Sequence, residues 1–264
     1  HRDLHSFPTR RSSDLGFYPK SLDPNQYLTH YAKFFDFTEI NSTFYSVPPE
    51  KTVKHWYDAT PAGFKFAIKV WQGITHTLHE AGVEEKIDAF FSRIQPLKKK
   101  ISIYLLQFPP FFKYSPKHLE KLKAILSILP KQNRYAIELR DNAWFGVDKL
   151  GLLNEFPNVF IVTSYLEKLT PVYLDSKPVL YIRAIGDRSL THFNKIQRPQ
   201  DKIFTEILLK VSEFQKTPTL TDIFVIFNNH FRGFSPKDVN EFKQKMGLAF
   251  KNFAKNRSLT DFMG

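Results

Sequence analysis

The sequence predicts a parallel (β/α)8 barrel, and three observations lead there. Seven short apolar runs punctuate the chain, most of them separated by amphipathic helical stretches. Strand alternating with helix is the pattern of a parallel sheet. Each run also ends in polar residues that an apolar strand has no packing use for. These are Glu39 and Asn41, Lys69, Gln107, Glu138 and Arg140, Thr163 and Ser164, Arg183, then Asn228 and Asn229. Polar groups collected at C-terminal strand ends mark the ligand face of such folds. Finally, a helix precedes the first visible strand. That order is odd for a βα repeat unless a further strand stood before it, and seven strands plus one make a (β/α)8 barrel.

The predicted strands cover 37–44, 64–70, 102–108, 134–140, 159–165, 179–185 and 222–229. The first helix is predicted over 23–35, with Asp23 as its cap and Pro24 in its first turn. Helices follow at 48–59 and at 84–97, where Ile87, Phe90, Phe91 and Ile94 share one stripe. Further helices are expected over 116–129, 148–156, 200–215 and 236–246. The segment 166–178 has room for only a short piece of helix. Residues 5–15 read HSFPTRRSSDL, which lacks both helical and strand periodicity and resembles the translation of a common sequencing adaptor. Residues 1–15 are therefore expected to be a non-native tail that stands where the first strand belongs. Residues 16–264 are expected to form a single domain, since no repeat, low-complexity tract or linker interrupts them. An open doubly wound sheet is the alternative, but the glycine-rich phosphate turn it carries after its first strand is not visible.

Composition excludes several chemistries. The 264 residues are 42% hydrophobic with 27 Phe, enough for a large core. There is no cysteine, so disulfides, thiolate metal sites and a Cys nucleophile are excluded. The same absence fits a reducing cytosol, and a cytoplasmic location is the expectation. No uncharged apolar stretch reaches the ~18 residues of a membrane span, so no membrane partner is expected. The formal charge of +12 favours anions, as small molecules or as nucleic acid. The lysines are dispersed, however, and the densest run, Lys98–Lys100, sits before a strand and so on the face opposite the strand ends.

Strand side chains alternate faces, which sharpens the site. Glu138 and Arg140 share a parity with Ala136, while Ile137 and Leu139 point the other way. Lys69 falls with Lys65 and Ala67, opposite Phe66 and Ile68. With the large apolar set against the helices, Glu39, Lys69, Glu138, Arg140 and Arg183 converge on the barrel mouth. Glu39, Lys69 and Glu138 are the catalytic candidates: two carboxylates for acid–base work and a lysine for nucleophilic or electrostatic duty. The ligand-binding candidates are Asn41, Tyr45, His76, Gln107, Arg140, Trp144, Arg183, Asn228, Asn229 and His230. Aromatics crowd the same edge at Tyr45, Trp71, Phe108, Phe111, Phe112, Trp144, Tyr165 and Phe231, where stacking on a sugar or base is their functional use. His76 and His230 follow strand ends, but no HxH, HxxxH or ExxH pairing accompanies them. A divalent metal is therefore not favoured, no metal ligand is assigned, and the cofactor is unknown. A buried ion network that merely plugs the barrel is the structural alternative.

These motifs resemble the YecE-like family (domain of unknown function 72), an uncharacterised family of (β/α)8 barrels. The resemblance runs through FYP at 17–19, FTEINSTFY at 37–45, FKFAIKV at 64–70, ITH at 74–76, LLQFPPFF at 105–112, AIELRDNAWF at 136–145, YIRAIG at 181–186 and FNNHFRGFSP at 227–236. It implies the barrel and a pocket at those motifs, and it supplies no activity. Two departures stand out. The family's first strand, with a Gly-Thr-Ser-Gly-Trp-like motif, is absent and the chain is N-terminally truncated by that measure. The family's Arg-x-His-Gly strand end reads Arg183-Ala184-Ile185-Gly186, so no role for that histidine carries over. The expected function is an enzyme, a hydrolase, acting on a phosphorylated or otherwise anionic ligand. The alternatives are a non-catalytic nucleic-acid or nucleotide binder and a sugar-processing enzyme using Glu39 and Glu138.

Overall fold

Among the described residues, seven strands pair in chain order into one parallel sheet: β1 (Phe37–Ile40), β2 (Lys65–Lys69), β3 (Ile101–Gln107), β4 (Tyr135–Glu138), β5 (Val159–Tyr165), β6 (Val179–Ala184) and β7 (Asp222–Phe227). The computed structural model describes residues 17–19, 21–77, 82–146, 149–187 and 189–253. The sheet curls until its ends meet inside, with the Phe37 ring of β1 5.1 Å from the Phe224 ring of β7. The result is a nearly closed barrel. Among the described residues β1 and β7 each pair on one side only. A lateral cavity of about 480 Å³ runs along this side, past Phe37, Thr38, Glu39, Phe224 and Ile226. The adaptor-like tail expected at 1–15, and with it the question of an eighth strand, lies outside the described residues.

The period of two in the strands sorts the side chains into two layers. Ala67, Ile103, Leu105, Ala136, Phe160, Val162, Tyr181 and Phe224 fill the interior. Phe66, Ile68, Leu106 and Ile137 point outward onto Ile87, Phe90 and Ile94, and onto Leu122 and Ile125. On the far side, Leu180 and Ile182 meet Phe204, Ile207 and Val211. The helices among the described residues, in chain order, are α1 (Tyr27–Tyr31), α2 (Ser42–Tyr45), α3 (Glu50–Asp58), α4 (Gln72–Thr75), α5 (Val83–Ile94), α6 (Pro116–Ile128), α7 (Leu152–Glu155), α8 (Asp201–Phe214), α9 (Asn229–Arg232) and α10 (Ser235–Lys245), and α5, α6 and α8 supply these partners.

Several boundaries differ from the sequence expectation, each for a local reason. The first strand stops at Ile40 rather than at residue 44, because the chain turns into α2. The Thr43 hydroxyl, near the Ile40 and Lys69 carbonyls at 3.2 and 2.6 Å, locks that turn against β2. The last strand stops at Phe227, where the Asn228 side chain accepts from the His230 N–H and starts α9. The helix predicted over 23–35 is a 3-10 turn, Pro24–Gln26, followed by the short α1. The 84–97 helix gives way to a second 3-10 segment, Gln95–Lys100, around Pro96. No helix forms over 166–178. Among the described residues, no helix is long and apolar enough to cross a membrane.

The barrel floor is closed by polar groups. Arg134 donates to Asp222 at 2.7 Å and to the Ser102 carbonyl at 3.0 Å, joining β7 to the start of β3. Lys98–Lys100 lie at this end, as the strand that follows them requires. Lys100 is buried and donates to the Tyr57 and Thr60 carbonyls at 2.6 and 2.7 Å, which ties down the end of α3. Layer assignment can be tested at Ala67, which is fully buried in the interior. Ala67→Leu should overpack the barrel and lower its stability by about 1–3 kcal/mol, read from the midpoint of urea unfolding.

Candidate functional site

At the mouth, one guanidinium bridges two carboxylates from different strands. Arg183, on β6, donates to both oxygens of Glu39 on β1, from Nε at 3.0 Å and from Nη2 at 2.6 Å. Its Nη1 donates to Glu138 on β4. All three side chains are almost fully buried. Glu39 also accepts from the Tyr181 hydroxyl at 2.7 Å and from the Asn41 amide at 3.1 Å. Four donors on one carboxylate fill its lone-pair sites. Glu138 has a second cation, since Arg140 Nε reaches its other oxygen at 2.5 Å. Arg140 in turn donates from Nη2 to Gln107 on β3 at 2.7 Å.

These contacts fix the protonation states. Burial alone would raise the pKa of Glu138, but Arg140, Arg183 and Lys69 outweigh it and hold the carboxyl at about 2. Burial likewise disfavours the charge on Arg183, yet Glu138 and Glu39 carry its pKa above the ordinary guanidinium value. Glu138 is therefore ionised at any physiological pH and is no proton donor. Glu138 is thus the opposite of the raised-pKa carboxylic acid that glycoside hydrolysis uses.

Lys69 stands apart from this pairing. It lies at the end of β2, is only 7% exposed, and its Nζ sits 3.8 Å above the centre of the Phe44 ring. Among the described residues, no carboxylate lies within ion-pair distance of it. Burial, followed by the like charges of Arg183 and Arg140, brings its pKa down from 10.5 to about 7, against the smaller pull of Glu138 and Glu39. His76 follows α4 at the same rim. Burial, then Lys69 and Arg140, lower its pKa to about 4, so its ring is neutral. It packs edge-on against Phe44 at 5.2 Å and Phe111 at 6.4 Å. Phe111 is 70% exposed and is the one aromatic of the expected mouth set that stands well clear into solvent.

Other sequence candidates have structural work in this geometry. Trp144 is fully buried, stacks on Phe112 at 5.3 Å and donates its indole N–H to the Phe112 carbonyl at 2.7 Å. Phe108, Phe112, Tyr165 and Phe231 are buried too. Asn228 caps α9, and the Asn229 side-chain oxygen accepts from the Ser235 N–H and hydroxyl at 2.9 and 2.7 Å, which starts α10. His230 is buried with its ring edge-on to Phe193 at 4.9 Å. Its carbonyl lies so close to Gly186, where φ is +70°, that a side chain there would collide with it. Tyr45 is partly buried and packs edge-on against Phe44 at 5.2 Å. Sequence reasoning passed over Tyr181, although its parity with Arg183 already aims it inward. Among the described residues, no group of three or more His, Asp and Glu side chains is placed to hold a metal ion.

Fold and site together define a parallel β/α barrel with a buried carboxylate–guanidinium network at its C-terminal mouth and, beside it, a lysine that has no ion-pair partner among the described residues. The chain belongs to the DUF72 family, a protein family of unknown function whose model matches residues 9–261. It is 30% identical over 140 residues to the UPF0759 protein YunF of Bacillus subtilis (strain 168), covering 49% of this chain and 48% of that protein. It is 31% identical over 152 residues to the UPF0759 protein YecE of Escherichia coli O157:H7, covering 58% and 53%. The chain thus spans about half the length of these curated relatives. Crystal structures share the fold. A DUF72 family protein from Enterococcus faecalis V583 superposes with a TM-score of 0.71 at 24% identity, over 84% of this chain and 94% of that one. Another, from Thermotoga maritima MSB8, gives 0.72 at 23% identity, over 87% and 92%.

The network changes what is expected of Arg183. From sequence it reads as a ligand-binding cation, but in place it neutralises two buried carboxylates. Arg183→Ala should therefore lower stability by about 3–5 kcal/mol in urea unfolding at neutral pH, the cost of stranding buried charges. Glu138 should shape the acid limb. Its folded pKa is depressed, so its contribution is complete above the unfolded value near 4.5 and fades as pH falls toward about 2. The stability gap between the wild-type chain and Glu138→Gln should shrink across that window; a gap constant with pH would contradict the assigned charge state.

Proposed function

We propose that this chain is an enzyme acting on a ligand that bears an anionic group, bound at the C-terminal barrel mouth. Lys69 is its reactive group and Arg140 its anion-binding arm. The observation that carries this reading is the buried Lys69 amine, with a pKa of about 7 and no ion-pair partner among the described residues, beside carboxylates that are already saturated or ionised. A purely structural plug would pair that lysine, as it pairs Arg183. A group that titrates near neutrality in a strand-end site is suited to nucleophilic or general-base work. In the hydrolytic form of the reading, the neutral amine takes a proton from the attacking water. Arg140 uses two of its N–H groups on Glu138 and Gln107, which leaves donors to face an anion.

The sugar-processing alternative is weakened by the ionised Glu138 and the fully engaged Glu39. The nucleotide-binding alternative has one observation in its favour, the exposed Phe111 at the rim. A cytosolic setting rests on the lack of cysteine alone.

Thermal-shift measurements against a collection of phosphorylated and carboxylated small molecules test the reading. The expected outcome is a concentration-dependent rise in Tm for a subset of anions. Arg140→Ala should keep the fold and weaken that binding by about 1.5–3 kcal/mol, the worth of a hydrogen bond to a charged group. No stabilisation by any anion, or equal affinity in Arg140→Ala, would count against it. Phe111→Ala should matter only if the preferred ligand carries a base or ring.

A further inference from the structure

Resting on that reading, we infer that Lys69 forms an imine with its substrate, and that the site takes a small carbonyl compound carrying a carboxylate or phosphate. The argument starts from what surrounds the amine. Phe44 of α2 covers one side, and His76 after α4 stands nearby as a neutral ring. Among the described residues, Arg183 of β6, Glu138 and Arg140 at the end of β4, and Glu39 of β1 are the charged groups that act on it, and Tyr181 of β6 reaches that shell through Glu39. The two arginines penalise an ammonium, and both carboxylates spend their hydrogen bonds elsewhere. An apolar wall plus neighbouring cations is the setting that makes a lysine nucleophilic. The free-amine fraction near neutral pH is correspondingly high.

Glu138 fits the same chemistry from the other side. A permanently ionised carboxylate is a poor proton donor, but the charge of Glu138, which acts on Lys69 without pairing with it, also offsets the charge of a protonated imine. The step balances without an oxidant or reductant. The Nζ lone pair attacks the carbonyl carbon, and the C=O π pair moves to oxygen, which takes a proton. The nitrogen gives up a proton to water, leaving a carbinolamine. The hydroxyl is then protonated and departs as water while the C=N bond forms. Arg140 holds the anionic end, which places the carbonyl rather than the anion at Lys69.

The test uses the full chain with pyruvate and with dihydroxyacetone phosphate, each followed by borohydride reduction and peptide mapping by mass spectrometry. The expected result is one reduced adduct at Lys69, lost in Lys69→Arg, whose yield rises with pH through about 7 rather than through 10.5. Adducts spread evenly over surface lysines, with Lys69 no more modified than they are, overturn the inference. Because Lys69→Arg can fail to fold, trace acetic anhydride labelling of the wild-type chain across a pH series gives a second readout. Lys69 should label about tenfold or more faster than the surface lysines at neutral pH, since those remain protonated there. Equal or slower labelling overturns imine chemistry. Thermal shift with pyruvate and with inorganic phosphate separates the two levels. Stabilisation without an adduct at Lys69 leaves the anion site standing and removes the imine; neither stabilisation nor adduct removes both.

Discussion

The Arg183 guanidinium, held between Glu39 and Glu138, is the contact on which the mouth of this barrel depends. It joins β6 to β1 on one side and to β4 on the other, reaching across strands that do not pair with each other. Burying three charges is expensive, and such a group persists only when its geometry and hydrogen bonds are nearly complete. Here Glu39 has four donors, Glu138 has two arginines, and Arg140 is propped by Gln107. The network also sets up its own exception. With the carboxylates committed to arginines, the remaining cation in the cluster, Lys69, is left with an aromatic face and two like charges.

Much of this was legible in the sequence because strand parity is strict. Glu138 and Arg140 aim inward with Ala136, Lys69 with Ala67, and Glu39 with Phe37, as the interior and outer layers confirm. What parity could not convey was pairing. Nothing in the chain announces that Arg183 will turn Nε, Nη1 and Nη2 to Glu39 and Glu138 rather than to a ligand, because that depends on distances between strands far apart in sequence. Trp144 illustrates a second limit. A tryptophan after a strand end reads as a loop aromatic, whereas the 3-10 turn Asn142–Trp144 folds it back under Phe112 and Tyr114. Asn228 and Asn229 illustrate a third, since asparagine after a strand serves a helix cap as readily as a ligand, and here both cap.

The strand ends blur for a related reason. Short polar stretches, Asn41–Thr43 and Asn228–His230, lead from Ile40 and Phe227 to the next aromatic, so the sequence offers no Gly or Pro to end those strands. The chain nevertheless turns, because Thr43 and Asn228 offer backbone partners that a ladder would not. These early turns bring α2 and α9 over the mouth. Phe44 belongs to α2 and makes the wall against Lys69, so the site owes its apolar side to a helix that periodicity alone assigns to a strand. The lateral cavity between β1 and β7 reaches Glu39 as well.

The overall charge of +12 bears less on the site than it first suggests. At the mouth, the cations and carboxylates nearly cancel, and what survives is the charge of Lys69, which burial and its neighbours make conditional. An approaching anion adds a negative charge beside that amine and favours its ammonium form; a neutral carbonyl placed at Nζ leaves the amine free. The same residue is thus a clamp toward one functional group and a nucleophile toward the other. A ligand presenting both, with its anion taken by Arg140 and its carbonyl by Lys69, resolves the conflict without asking Lys69 to do both at once. The geometry of the network, which turns Arg140 toward Glu138 and Gln107 and leaves Lys69 over Phe44, keeps those two functions on separate side chains.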